Sequence, residues 1–184
     1  MYLLGHVGSA ILVWFVYEQV SNTRNDKHKL LFAIGVMLPD FLDKPIGSLF
    51  FNSGRWLGHD MFFQLLVLII FLVIDHLKFQ NKFKNEIFIL YFGAVLHLVG
   101  DSQSITKETL FWPLFGRFPV GNKNGFLHGF SNPITITQEI LGFIIIILIG
   151  NYEDWPKKYW ELVIGVILGY LSLFVIVYSL LVGW

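Results

Sequence analysis

Apolar residues gather in six blocks along the chain, each separated from the next by a polar stretch. A helix that crosses the hydrocarbon of a bilayer needs about 20 mostly apolar residues. Block 159–184 meets this most plainly, because after Glu161 near its start it runs uncharged to the C-terminus. Block 134–150 is second, built around the unbroken apolar run 143–149. Blocks 61–74 and 87–99 follow, separated by a stretch, 75–86, that carries Lys78, Lys82 and Lys84. Blocks 3–17 and 30–42 are apolar but short, and each has an ionisable residue near one end, His6 and Asp40. The pattern predicts an all-α fold: one polytopic membrane domain over 1–184 with six transmembrane helices, four at the fewest.

The first block could be mistaken for a signal peptide. It has no basic region ahead of it and no small-residue cleavage site, and it contains Trp14 and Tyr17, so we expect it to be retained. The one long connection, 101–133, is rich in Gly, Pro, Phe and Asn. Loops of that length are usually functional or disordered, and the apolar content of this one predicts a folded loop lying against the membrane.

Composition agrees with the blocks. Only 14% of the 184 residues are charged, against 55% hydrophobic and 17% aromatic, whereas a soluble domain carries about 25% charged residues. Disordered chains, coiled coils and basic nucleic-acid-binding domains are excluded, and no basic-aromatic stripe suggests a nucleic-acid partner. The partner to expect is the lipid bilayer. With no cysteine, disulfides, thiolate metal sites and cysteine nucleophiles are also excluded.

The zero formal charge hides an asymmetry. Eight Lys and Arg residues fall in the first, third and fifth connections and five in the two others, which are longer. The positive-inside bias then places the N-terminus and the long loop outside the cytoplasm. On that outer side lie His6, Asp40 and Asp43, His59 and Asp60, His97 and Asp101, His128 and Glu139; only His28 and His76 fall on the basic side. Ionisable groups at a membrane are costly and are functional candidates by default. Asp40 and Asp43 are spaced i,i+3, and His97 and Asp101 i,i+4, so each pair can share a helix face. Histidine with carboxylate is a ligand set for Zn, Mn, Fe or Mg, and the number of candidates allows one or two ions. Arg55, with Lys44, is placed to hold an anion such as phosphate.

Each residue also has a plainer reading. A single histidine at a membrane edge is more often interfacial than a ligand. Asp43 can end its helix and pair with Lys44 ahead of Pro45, and Asp60 can sit at a helix N-terminus facing the dipole. Lys78, Lys82 and Lys84 read as a topology signal, and Trp56, Trp112, Trp155 and Trp160 as an interfacial belt. Gly165 and Gly169, a GxxxG pair, can pack within the bundle or between subunits, which leaves the oligomeric state open. It is the gathering of so many on one face that favours a metal site.

The order of these residues carries a family resemblance. Gly5-His6, the stretch Leu38-Pro39-Asp40-Phe41-Leu42-Asp43-Lys44-Pro45, Gly54-Arg55-Trp56-Leu57-Gly58-His59-Asp60, His97-Leu98-Val99-Gly100-Asp101 and Trp112-Pro113-Leu114 resemble the membrane-bound metal-dependent hydrolase family (LexA-regulated, YdjM-like), in particular its archaeal members. Asn132-Pro133 and Glu139 extend the likeness. The resemblance implies a helical membrane protein whose metal is held by His6, Asp40, His59, His97 and Asp101, with Asp43 a sixth ligand or a support for one. Asp60 departs from the family, which usually has Ser or Thr after the central histidine, and could add a ligand or change metal preference. A more distant likeness to bacterial zinc-dependent phospholipase C implies phosphoester substrates.

The function expected from these readings is metal-dependent hydrolysis of a phosphoester or lipid headgroup at the extracytoplasmic face, with zinc first among the candidate ions. Metal activates water near neutral pH; Asp43 or Asp60 would orient that water or take its proton, Arg55 and Lys44 would hold the anion, and His128 would protonate the leaving group. Two alternatives stay open: a non-catalytic protein with a structural metal site, and a metal-ion binding or transport protein. Transport asks for ionisable residues near the midplane of several helices, and blocks 61–74, 134–150 and 159–184 have none there.

Overall fold

The computed structural model of the protein describes residues 3–44, 57–101, 106–115 and 133–157, together with 159–161, 164–165, 168–169 and 172. Among these residues there is no strand. Five long helices are present: α1 (Leu3–Ser21), α2 (Asp26–Leu42), α3 (Met61–Phe79), α4 (Lys84–Gly100) and α5 (Pro133–Tyr152). A 3-10 turn, Leu57–His59, leads into α3, and a short helical turn, Lys107–Leu110, follows α4. The described positions of the sixth apolar block are helical up to Ser172.

Local chemistry sets the helix ends. Asn25 caps α2 by accepting from the His28 N–H at 3.1 Å, with Asp26 in the first turn. Asp60 caps α3, accepting from the Phe63 N–H at 2.6 Å. The α3–α4 connection is tight, with Gln80 and Asn81 at positive φ, and the Asp75 side chain reaches across it to accept from the Phe83 N–H at 3.0 Å. Pro133 opens α5, where a missing N–H costs nothing.

Three of the helices are long and apolar enough to cross a membrane: α1, α3 and α5. At 17 residues each, α2 and α4 reach only about 26 Å, the short end of what a span needs. Polarity is distributed inside out. Leu66, Ile69, Phe71, Phe92, Ile140 and Leu148 are exposed, while His6, His59, His97, Asp40, Asp43 and Asp101 are buried. A surface of this kind is stable against lipid and not against water.

The helices pair as α1 with α5 and α2 with α4, and α1 also packs on α2. Both close crossings rest on glycine. A Cβ on Gly8 would run into the backbone of Gly142, and one on Gly35 into the backbone of Leu90, so only hydrogen at these positions lets the axes approach. Ala10, Trp14, Phe32 and Val36 fill the space between α1 and α2, and Ile11 with Ile146 and Ile149 the space between α1 and α5. Gly165 and Gly169 meet nothing within 4 Å.

At the end of the bundle where α1 stops and α2 begins, Lys29 is buried between two carboxylates. Its amine lies 2.8 Å from Glu18 Oε2 and 2.6 Å from Glu153 Oε2. Glu18 also accepts from the Asn25 N–H, and Glu153 from the Trp155 indole. This network ties α1, α2 and the residues after α5 together. The opposite end of the bundle holds His6, His59 and His97.

Candidate metal centre

Four chain segments end at that face. His6 lies in the second turn of α1, Asp40 and Asp43 at the end of α2, His59 in the turn before α3, and His97 with Asp101 at the end of α4. The C-terminal ends of α2 and α4 both turn their negative dipole ends here, which adds to the carboxylates in favouring a cation.

The turn that carries His59 is held from two sides. Asp43 accepts from the Gly58 N–H at 2.8 Å and the His59 N–H at 3.0 Å, and its Oδ2 lies 2.6 Å from His59 Nδ1. From α3, the Gln64 amide donates to the Gly58 carbonyl at 2.6 Å. Glycine is required at 58, since a Cβ there would strike the Pro39 carbonyl oxygen. His97 is oriented by backbone: its Nδ1 lies 2.8 Å from the Val36 carbonyl oxygen, so Nδ1 carries the proton. A histidine whose Nδ1–H is bound in this way presents its Nε2 lone pair to a metal. His59 and His97 therefore aim Nε2 into the same space, 3.1 Å apart.

Around that pair the carboxylates close in. His59 Nε2 lies 3.8 Å from Asp40 Oδ1 and 3.6 Å from Asp101 Oδ2, and His97 Nε2 lies 3.7 and 4.0 Å from the same two atoms. Two ligands about 2.0–2.1 Å from a tetrahedral ion are separated by roughly 3.3 Å. The five separations, 3.1 to 4.0 Å, are close to the edges of such a polyhedron, so the residues fit a divalent ion. His6 completes the cluster. Its ring stacks on His97 with centroids 3.9 Å apart, and its Nε2 lies 3.3 Å from Asp101 Oδ1. His6 is 1% exposed, and among the described residues neither of its ring nitrogens makes a hydrogen bond. Buried imidazole nitrogens with no hydrogen bond are costly, and nitrogens so placed are available to a ligand. Two overlapping groups, His6–Asp40–His97 and His59–His97–Asp101, each bring three donor atoms within 4.8 Å of one another.

Electrostatics follow the same geometry. Burial pushes the Asp101 carboxyl up, but the imidazoles of His59 and His6 beside it outweigh burial and hold the group well below the usual carboxylate range. Burial depresses His59, and the adjacent Asp101 and Asp43 more than restore it, so its imidazole stands above its ordinary value. In both groups neighbouring opposite charge outweighs the effect of burial.

The remaining sequence candidates divide. Lys44 pairs with Asp40, and the Asp43 carboxylate holds His59 and its turn. Asp60 is buried and caps α3; burial raises its pKa against the backbone hydrogen bonds it accepts. Arg55 and His128 lie outside the described residues. The sequence reading gave Glu139 no role, and the structure supplies one. From α5 its carboxylate accepts from the Leu4 N–H at 2.9 Å and the Gly5 N–H at 3.0 Å, satisfying two orphan donors of α1 immediately before His6. A lone acid in an otherwise uncharged span was the available signal.

The YdjM inner membrane protein family profile matches residues 1–181. No curated protein matches the chain, and no solved structure does. The chain belongs to the YdjM inner membrane protein family, and its buried histidines and aspartates could hold a metal ion.

Proposed function

We propose that this YdjM-family protein is a membrane-embedded, divalent-metal-dependent hydrolase that acts on a phosphoester or lipid headgroup at the extracytoplasmic face. The observation that carries the reading is the convergence of five buried donors, His6, Asp40, His59, His97 and Asp101, on one space at one end of the bundle. Three imidazoles with two carboxylates suit zinc first, with Mn, Fe and Mg as alternatives. When bound, such an ion supplies a Lewis acid for a phosphoryl oxygen and lowers the pKa of water.

The chain's own residues have distinct parts in this reading. Asp43 is a positioning residue that fixes the His59 ring and its tautomer. The Val36 carbonyl does the same for His97. Lys44, half-buried at the edge of the cluster against Asp40, brings positive charge to where an anionic headgroup would enter. Arg55 and His128 are proposed from the sequence to bind the anion and to protonate the leaving oxygen. The lysine-rich connections on the opposite face support the extracytoplasmic placement.

A second reading, a structural metal site, is favoured by one observation: His59 and His97 are fully buried. Structural sites are closed, and catalytic sites keep an open position. Purified protein is to be assayed for release of phosphate or headgroup from a panel of lipid phosphoesters. Release abolished by chelator and restored by metal is the expected result; bound metal with no release from any member supports the structural reading.

A further inference from the structure

A groove of about 200 Å³ runs along the bundle between α1, α2 and α5. Its walls are apolar, built from Leu3, Val7, Ile11, Met37, Phe41 and Ile146. Leu3, Ile11, Met37 and Ile146 are themselves buried, so this is a recess and not the convex apolar surface that α3 presents. The charged residues on its lining are Asp26 and Lys29, at the far end, where the Lys29 amine is already held by Glu18 and Glu153.

Two features say what the recess takes. The first is its setting: α1 and α5 are long and apolar enough to cross a membrane, so the groove opens onto hydrocarbon, and a linear apolar occupant of the bilayer is an acyl chain. From Phe41 to Asp26 it follows α2 for about 22 Å, longer than the roughly 15 Å of one leaflet's hydrocarbon. The second is that residues lining one end of the groove neighbour two of the metal-ligand candidates along their helices. Leu3 and Val7 flank His6 on α1, and Met37 and Phe41 flank Asp40 on α2. A chain lying in the groove therefore places its headgroup beside the histidines and Lys44.

We infer that the groove holds an acyl chain of a membrane lipid whose anionic headgroup lies at the His/Asp cluster, so that the substrate class is a phospholipid and not a water-soluble phosphoester. The inference rests on the hydrolase reading for what happens to the headgroup, but the seating of the chain does not depend on turnover.

The test uses the full-length protein in phosphatidylcholine nanodiscs containing a phosphatidylglycerol with a diazirine along its acyl chain, photolysed and mapped by peptide mass spectrometry. Labelling is expected on the groove segments of α1, α2 and α5. Ala33→Phe fills the groove from within, and Ile34→Trp, at an exposed position on its rim, is the milder variant that keeps the fold. Either is expected to lower groove labelling roughly tenfold, the equivalent of about 1.4 kcal/mol, with labelling of the exposed face of α3 unchanged. Glycerol phosphate in excess is expected not to compete. Labelling spread evenly over all exposed faces, labelling insensitive to both variants, or a wild-type groove that takes no label overturns the inference. Groove labelling with no headgroup release from any lipid leaves the groove a lipid site and removes the hydrolase reading, so the two fail separately.

Discussion

His59 Nε2 and His97 Nε2 face each other at 3.1 Å while both rings are held from behind, His59 by Asp43 and His97 by the Val36 carbonyl. Two imidazole lone pairs cannot be directed at one another at that distance without a proton or a cation between them. The carboxylates of Asp40 and Asp101 on either side make a divalent ion the better occupant.

Asp43→Asn keeps the size of the side chain but replaces one acceptor oxygen with a donor, in a setting where three donors converge on the carboxylate. Loss of such a partner behind a histidine ligand typically weakens metal binding 10–100-fold. Competition with a chelator of known affinity checks this, and full wild-type affinity in the variant would show that Asp43 does not position His59.

Asp60 separates a cap from a ligand. Burial raises its pKa, so its ionised form is less favoured in the folded protein than in the unfolded chain, where the pKa is about 3.9. Its contribution therefore improves as pH falls through the raised value toward the unfolded one. Asp60→Asn removes that dependence and still caps α3, so it is expected to keep metal and lose little stability, while Asp60→Ala costs about 1 kcal/mol. Thermal unfolding of wild type and variants in detergent from pH 4 to 8, with metal content measured alongside, reads both effects. Metal loss in Asp60→Asn would make Asp60 a ligand.

Glu139→Gln leaves one acceptor oxygen for two backbone donors, the N–H groups of Leu4 and Gly5. The expected cost is about 1–3 kcal/mol, seen as a lower midpoint of thermal unfolding. Because His6 follows directly, metal affinity is expected to fall too. An unchanged midpoint would show that α1 is seated without Glu139.

The Lys29 network should matter for folding alone. Lys29→Met strands Glu18 and Glu153 beside each other and is expected to destabilise by about 3–5 kcal/mol, with metal content per folded molecule unchanged. Adding Glu18→Gln and Glu153→Gln to the same chain should recover much of the loss. Unfolding midpoints of wild type and the two variants check the pattern.

The sequence made the helices legible because spans are set by local hydropathy, and five of the six blocks are long helices in the described structure. The wider group of candidates was legible because ionisable residues at the ends of apolar segments are rare; the family resemblance narrowed it to His6, Asp40, His59, His97 and Asp101, which share one end of the bundle. Pairing was less so. Asp43 beside Lys44 reads as a local ion pair, yet the Asp43 carboxylate holds the turn at Gly58 and His59, and Lys44 pairs with Asp40. In sequence Lys29 is one of the basic residues counted in the first connection, whereas its buried contact with Glu153 spans 124 residues and exists only because α1 brings α2 and α5 together. Those approaches depend on Gly8, Gly142 and Gly35 meeting backbone, which hydropathy does not encode.

The central claim is that the five-residue cluster holds a divalent ion, and its most direct test is the metal content of purified, chelator-washed protein, wild type beside His97→Ala. His97 belongs to both donor groups. Wild type is expected to retain divalent metal, zinc foremost, and His97→Ala to lose most of it while staying folded in detergent. Wild-type protein that retains no metal, or a variant that retains as much as wild type, would contradict the account.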